Sequence, residues 1–186
     1  MSVALRTRPE RIKLLKDAFH ALIWITTRQF SQQLQTYNLT MPQFFALSAL
    51  TAHRQACTMR DLTHVFLQDP PTMTGIIDRL VRMKLVARTR SEDDRRVVLV
   101  EATLAGIDLV NRINEAIMRD EMANYSDLSD DDLAALEQLL RFKLRIHLGR
   151  FKSLQDGDLE AEIEKLQRFI NDPIHYTKTE HSSKPN

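Results

Sequence analysis

The chain has 186 residues, 43% of them hydrophobic, and a formal net charge of +1. That is enough apolar material for a core but too short for two large independent domains, and so small a net charge lends no global support to nucleic-acid binding. The single Cys57 excludes an intramolecular disulfide and suits a reducing cytosol, residues Met1 to Pro9 lack the apolar stretch of a signal peptide, and no apolar run approaches the ~20 residues of a membrane span.

In chain order, residues 9–37 are predicted as one long amphipathic helix. Ile12, Leu15, Phe19, Leu22, Ile23, Phe30 and Leu34 recur at helical spacing, Pro9 occupies the first turn and Asn38 is the stop. Thr40 with Gln43 forms a capping box that opens a second helix with Phe44, Leu47 and Leu50 inward. His53 to Ala56 is a polar connection. Thr58 with Asp61 is a second capping box, starting a short helix that carries Leu62 and Val65. A turn at Gln68–Asp69–Pro70–Pro71 leads into a helix from about Pro71 to Met83, with Ile76, Ile77, Leu80 and Met83 expected inward.

The pattern then becomes extended. Leu85 to Arg90 and Val97 to Glu101 flank the polar stretch Ser91 to Arg96, which reads as a hairpin with a charged tip. Thr103 caps a long helix bearing Leu104, Ile107, Val110, Ile113, Ile117 and Met122. Ser129 with Asp132 is a third capping box; the helix after it carries Leu133, Leu136, Leu140, Leu144 and Leu148 to about Phe151. Asp156 and Gly157 break it, Leu159, Ile163, Leu166 and Ile170 suggest a final helix ended by Pro173, and the polar tail 173–186 is expected to be disordered.

Charge is segregated along this framework. Arg79, Arg82, Lys84, Arg88, Arg90, Arg95 and Arg96 crowd the middle, whereas Asp120, Glu121, Asp127 and Asp130 to Asp132 face a lone Arg119 further on. That suits one lobe facing DNA and another facing solvent. Two short helices joined by a tight turn and followed by a charged hairpin make a winged helix-turn-helix, about residues 58–101. Its second helix would enter the major groove, presenting Pro71, Thr72, Thr74 and Gly75, with Met73 offering an apolar contact to a thymine methyl. Arg79 and Arg82 reach base or phosphate. An equal alternative for Arg79 is an ion pair with Asp78 or a neighbouring helix. Arg95 and Arg96 at the wing tip would enter a narrow minor groove, with Asp94 orienting one of them.

The run from Asp78 to Gly106 resembles the MarR family of winged helix-turn-helix regulators. The matching pieces are Asp78-Arg79-Leu80, then Leu85-Val86-x-Arg88, Asp94-Arg95-Arg96 and Thr103-x-x-Gly106, with Leu39-Thr40-x-x-Gln43 and Thr58-x-x-Asp61-Leu62 upstream. The likeness covers roughly residues 10–150 and is sharpest from 58 to 106. It implies a mainly α fold with a small β-hairpin wing: a winged helix-turn-helix lobe over 38–102, and a dimerisation lobe built from helix 1–37 and the helices of 103–172. It further implies a homodimer with intertwined terminal helices, a pseudo-palindromic double-stranded DNA operator, more often repression than activation, and in many members a small aromatic or phenolic ligand between lobes. By family position Arg96 is the minor-groove residue, Asp94 its support, and His20, Trp24 and Phe45 are ligand candidates, with plain core as their alternative.

Three departures stand out. Gly75 follows Thr74 where many members carry a polar residue. Lys84 stands where many have Gly before the first wing strand, at a left-handed turn costing a non-Gly residue about 1 kcal/mol. Residues 152–186 extend past the usual end. Cys57 reads either as a thiol sensor, which needs exposure and a lowered pKa, or as an inert connector. His53, Cys57 and His64 match no zinc spacing, no nucleophile elbow, phosphate loop or HExxH occurs, and Asp130 to Asp132 suit a helix N-terminus. The expectation is therefore a cytoplasmic, non-enzymatic DNA-binding transcription regulator without metal or cofactor. The alternative is a winged-helix protein-interaction module or anti-regulator that does not bind DNA; steep salt dependence of duplex binding separates the two.

Overall fold

Thr7 begins the first helix by donating its backbone N–H to the Glu10 carboxylate at 2.7 Å, which satisfies a donor that the helix itself cannot. The structure is a computed structural model that describes residues 7–66, 68–91 and 94–152 together with 161, 164, 165, 168 and 172; for 147–152 the backbone alone is described. The apolar positions Leu159, Ile163, Leu166 and Ile170 of the expected final helix, its break at Asp156–Gly157 and the tail 173–186 lie outside the described residues. The chain divides into two compact units, Met1–Phe44 and Phe45–Asn186.

The first unit holds α1 (Arg8–Gln35) and the start of α2 (Met41–His53). α1 ends where Asn38 takes a left-handed φ of 58°, a conformation that Asn tolerates better than most residues. Leu34, Leu39 and Phe44 are buried, and Phe30 meets Phe44 edge to face at 5.4 Å. Of the predicted α1 stripe only Leu34 is buried; Ile12, Leu15, Leu22 and Ile23 stand exposed, as does the ligand candidate Trp24. Gln43 Oε1 accepts the Thr40 N–H at 3.0 Å and so starts α2 as expected.

In the second unit, α2 buries Ala46, Leu47, Ala49 and Leu50 and ends before Arg54, whose φ is 55°. There follow β1 (Cys57–Thr58), α3 (Met59–Phe66), α4 (Pro70–Arg82), β2 (Val86–Arg90), β3 (Val98–Ala102), α5 (Leu104–Asn124) and α6 (Asp130–Lys152). The strands form one antiparallel sheet in the order β1-β3-β2, with Cys57 opposite Val100, Arg88 opposite Val100 on the other side, and Arg90 opposite Val98. The hairpin was expected and β1 was not. A two-residue strand is too short to show alternation, and Thr58 announces itself as a helix cap instead. It serves as both: its N–H donates to Asp61 Oδ2 at 2.9 Å and its Oγ1 accepts from the Asp61 N–H at 3.1 Å.

Three joints fix the winged lobe. Asp69 caps α4 by accepting the Thr72 N–H at 2.9 Å, while Pro70 and Pro71 fill positions that need no N–H donor. At the other end, Lys84 N–H donates to Val81 O at 2.9 Å and Leu85 N–H to Leu80 O at 3.0 Å. This is the Schellman arrangement, with Lys84 left-handed at φ 62°. Then Thr103 closes the wing onto α5. Its Oγ1 donates to Lys84 O at 2.8 Å and accepts the Gly106 N–H at 3.1 Å, and its own N–H donates to Leu85 O at 3.0 Å.

The core of this unit gathers Leu62 and Val65 of α3, Met73, Ile77 and Leu80 of α4, Val86 and Val100 of the sheet, and Leu109, Val110 and Ile113 of α5. Leu104, assigned to the inner face of α5, is exposed; the buried face begins at Gly106, Leu109 and Val110. α6 opens on the predicted box, with Ser129 N–H donating to Asp132 Oδ2 and Asp132 N–H to Ser129 Oγ, both at 3.2 Å. Its large apolar residues Leu133, Leu139, Leu140, Phe142, Leu144 and Ile146 are exposed. No helix among the described residues is long and apolar enough to cross a membrane.

Candidate nucleic-acid interface

α4 is amphipathic, and the phase of its apolar residues decides what it can offer outward. Met73, Ile77 and Leu80, spaced four and three apart, lie on the core side. Met73, expected to touch a thymine methyl, is 1% exposed and cannot reach a ligand. Ile76 and Met83, expected inward, are only half-buried. The opposite face carries Pro71, Thr72, Thr74, Gly75, Arg79 and Arg82, all exposed.

The threonines on that face are held locally. Thr72 Oγ1 donates to Asp69 Oδ2 at 2.7 Å, and Thr74 Oγ1 donates to the Pro70 carbonyl at 2.8 Å. The Thr72 N–H first, and its hydroxyl second, hold the Asp69 carboxyl below the usual carboxylate range. Arg79 does not pair with Asp78. The Asp78 carboxylate instead accepts from the Arg88 guanidinium on β2, and among the described residues the Arg79 side chain has no hydrogen-bonding or ionic partner. Sequence reasoning missed this link. Opposite charges at Asp78 and Arg88 were visible, but the turn that brings them together was not.

At the wing, Ser91 N–H donates to Val97 O at 3.0 Å and Val97 N–H to Asp94 O at 2.9 Å, closing the hairpin. Asp94 grips Arg96 at three points. Oδ1 accepts the Arg96 backbone N–H at 3.0 Å and Nε–H at 3.1 Å, and Oδ2 accepts from Nη2 at 3.3 Å. The Arg96 side chain and then its backbone N–H hold the Asp94 carboxyl below its ordinary range. The Arg96 side chain is nonetheless 91% exposed, so the contact aims the guanidinium without sheltering it. Arg95 is exposed beside it. The structure thus sets Asp94, Arg95 and Arg96 at one tip and ties α4 to β2, the strand that leads into it.

The other sequence candidates are distributed differently. His20 and Trp24 line an open groove along α1 with Ile23, Thr27 and Arg28, and the Arg28 guanidinium stands 5.4 Å from the Trp24 ring centre. Phe45 is half-exposed on α2 and belongs to the second unit. Cys57 is 1% exposed in β1, which removes the accessibility that a thiol sensor needs. His53 Nδ1 lies 3.3 Å from the Asp172 carboxylate.

Comparison with known proteins agrees with this geometry. The profile of the family described as Transcriptional regulator SarA/Rot matches residues 28–113, from the end of α1 through the wing into α5. Over 114 residues the chain is 30% identical to the organic hydroperoxide resistance transcriptional regulator of Bacillus subtilis (strain 168), covering 61% of this chain and 76% of that protein. It is 31% identical over the same length to the HTH-type transcriptional regulator MgrA of Staphylococcus aureus, with the same coverage. Among solved structures, a mutant MarR from E. coli superposes with a TM-score of 0.59 at 27% identity, covering 70% of this chain and 96% of that one. These relatives are transcription regulators and not enzymes. By sequence and by fold the chain belongs to the MarR family of winged helix-turn-helix transcription regulators.

Proposed function

We propose that the protein is a homodimeric repressor that binds a pseudo-palindromic double-stranded DNA operator through α4 and the wing. The observation that carries this reading is the wing tip: the Arg96 side chain is exposed to solvent and is held by Asp94 at three points. An exposed arginine loses conformational entropy on entering a groove, and a partner that already restrains it lowers that cost. A narrow minor groove concentrates the negative potential that an arginine reads. Arg79 and Arg82 reach base or phosphate, Arg95 joins Arg96 at the wing, and the charge that these residues bring to the backbone supplies the salt-sensitive share of affinity. Residues 38–102 act as the reading lobe, and segment 1–37, through α1, with segment 103–172, through α5 and α6, forms the dimer seam. The exposed apolar faces of α1 and α6 support that seam, because a monomer gains nothing by leaving them in water.

Release by a small aromatic or phenolic ligand is part of the same proposal. The α1 groove of His20, Ile23, Trp24, Thr27 and Arg28 offers an aromatic face and a cation to such a molecule. The test is selection of duplexes from a random pool by the full chain, followed by titration of the enriched duplex at rising salt, with and without phenolic compounds. A palindromic consensus with steep salt dependence is expected. Failure to enrich any duplex, or binding insensitive to salt, refutes the DNA-reading function and favours a protein-docking module.

A further inference from the structure

The outward face of α4 is short of hydrogen-bond donors where a recognition helix meets base edges. The helical repeat sets Gly75 and Arg82, two turns apart, opposite the buried residues Met73, Ile77 and Leu80. Gly75 is bare: nothing lies within 4 Å of the position its Cβ would take. A glycine inside a helix is unfavourable beside an alanine, and no packing contact in the fold calls for it here.

The flanking residues have committed their protons. Thr72 gives its hydroxyl to Asp69 Oδ2 and its N–H to Asp69 Oδ1; Thr74 gives its hydroxyl to Pro70 O. Pro70 and Pro71 have no N–H to give. What remains exposed on the first two turns is prolyl ring, threonine methyl and open glycine backbone. A guanine edge presents O6 and N7 acceptors and requires donors, and adenine is read by a side-chain amide; neither a free donor nor an amide stands on α4 before Arg79. A thymine C5-methyl requires only an apolar surface.

We propose that the first two turns of α4 read thymine methyl groups in the major groove. The methyls of Thr72 and Thr74 make the contacts, and Gly75 is the gap that lets the helix backbone approach the groove floor. Arg79 and Arg82 supply the donors one to two turns later. This rests on the DNA-reading function proposed above.

The test uses the full chain and its enriched duplex, with each thymine replaced singly by deoxyuridine, which removes only the C5-methyl. At one or two thymines per half-site the affinity is expected to fall about fourfold, the worth of about one buried methyl group, with no change at other thymines. Thr74→Val, which keeps the methyl and drops the hydroxyl, should preserve both affinity and the uracil effect. Thr74→Ser, which keeps the hydroxyl and drops the methyl, should weaken binding and diminish the uracil effect. A specific duplex that binds equally well with every deoxyuridine overturns methyl readout while leaving DNA reading intact. A pool that enriches nothing removes the DNA-reading function and this inference with it.

Discussion

Asp78 on α4 accepts a hydrogen bond from Arg88 on β2, so the recognition helix is tied directly to the first wing strand. The side chains are 45% and 31% exposed, and such a surface pair contributes only about 0–1 kcal/mol to stability. Its larger consequence is geometric: it links α4 to the wing, the two elements proposed to enter adjacent grooves. Asp78→Ala should therefore shift the urea midpoint by less than about 1 kcal/mol equivalent and weaken operator binding several-fold. A double-mutant cycle with Arg88→Ala, read by fluorescence anisotropy, should be non-additive. Strictly additive losses in binding would show that the pair does not couple helix to wing.

Gly106 and Gly75 make opposite predictions for the same substitution. A Cβ on Gly106 would fall 2.2 Å from the Leu85 carbonyl oxygen and 3.0 Å from Leu47 Cδ1. The Leu85 carbonyl cannot retreat without losing the Thr103 N–H that it accepts at 3.0 Å. Gly106→Ala should cost about 3 kcal/mol, as overpacking against fixed backbone does. Gly75→Ala meets open space and should gain up to about 1 kcal/mol of helix propensity. Urea unfolding of the two variants decides; equal shifts would mean that the wing–α5 joint is more pliable than its hydrogen bonds imply.

What the sequence disclosed and what it hid follow from the range of each interaction. The Thr58–Asp61 and Ser129–Asp132 boxes span three residues, so their spacing alone announces them, and both form. The Asp94–Arg96 grip is equally local and was foreseeable. Met73 was misplaced by phase: with Ile77 and Leu80 it completes a four-three spacing, but the competing set Ile76, Leu80 and Met83 is equally periodic. Only packing against a neighbour chooses between them. Strand β1, the Asp78–Arg88 link and the closure of Gly106 on Leu85 all join residues across turns, where no period carries a signal.

Lys84 tests the Schellman joint. Its φ of 62° places a side chain where the left-handed region penalises a Cβ by about 1 kcal/mol. The Lys84 N–H bond to Val81 O and the Thr103 bond to the Lys84 carbonyl use backbone atoms of that residue, and the Leu85 N–H bond to Leu80 O does not involve it, so Lys84→Gly keeps all three. The variant should gain about 0.5–1 kcal/mol, somewhat offset by the freer unfolded chain. A loss of stability in urea or thermal unfolding would mean that the lysine side chain contributes contacts outweighing its backbone strain.

The proposed dimer seam is open to a direct measurement. On α6, Leu139, Phe142 and Ile146 share one helical face at spacings of three and four and are exposed. Placing a charge on a face proposed to be covered by a second chain should break association while leaving the winged lobe folded. Phe142→Glu is expected to turn a dimer into a monomer by sedimentation at micromolar concentration, and operator affinity should fall with it because a palindrome rewards two linked readers. An unchanged dimer would exclude this face of α6 from the seam.

The wing tip gives a prediction about pH whose sign is fixed by Asp94. An ordinary aspartate titrates near ~3.9. Hydrogen bonds from the Arg96 side chain, and then from its backbone N–H, hold Asp94 below that value. A carboxyl depressed in the folded state makes its contribution above the unfolded pKa and loses it as pH falls through the folded one. The grip on Arg96 therefore persists through neutral and mildly acidic solution, and the wing's share of operator affinity should stay flat from about pH 8 to about pH 5. Arg96→Ala should cost roughly 1–3 kcal/mol of operator binding at any pH in that range. Asp94→Ala should cost less, because it leaves the charge and removes only its aim. Titration of both variants against the same duplex separates aim from charge. If Asp94→Ala matched or exceeded Arg96→Ala, the carboxylate would be acting on something other than Arg96. If the wild-type affinity instead fell around pH 6 to 7 in a manner lost on replacing Asp94, the Asp94 carboxyl would be titrating above the ordinary range, and the grip of Arg96 would not be holding it down.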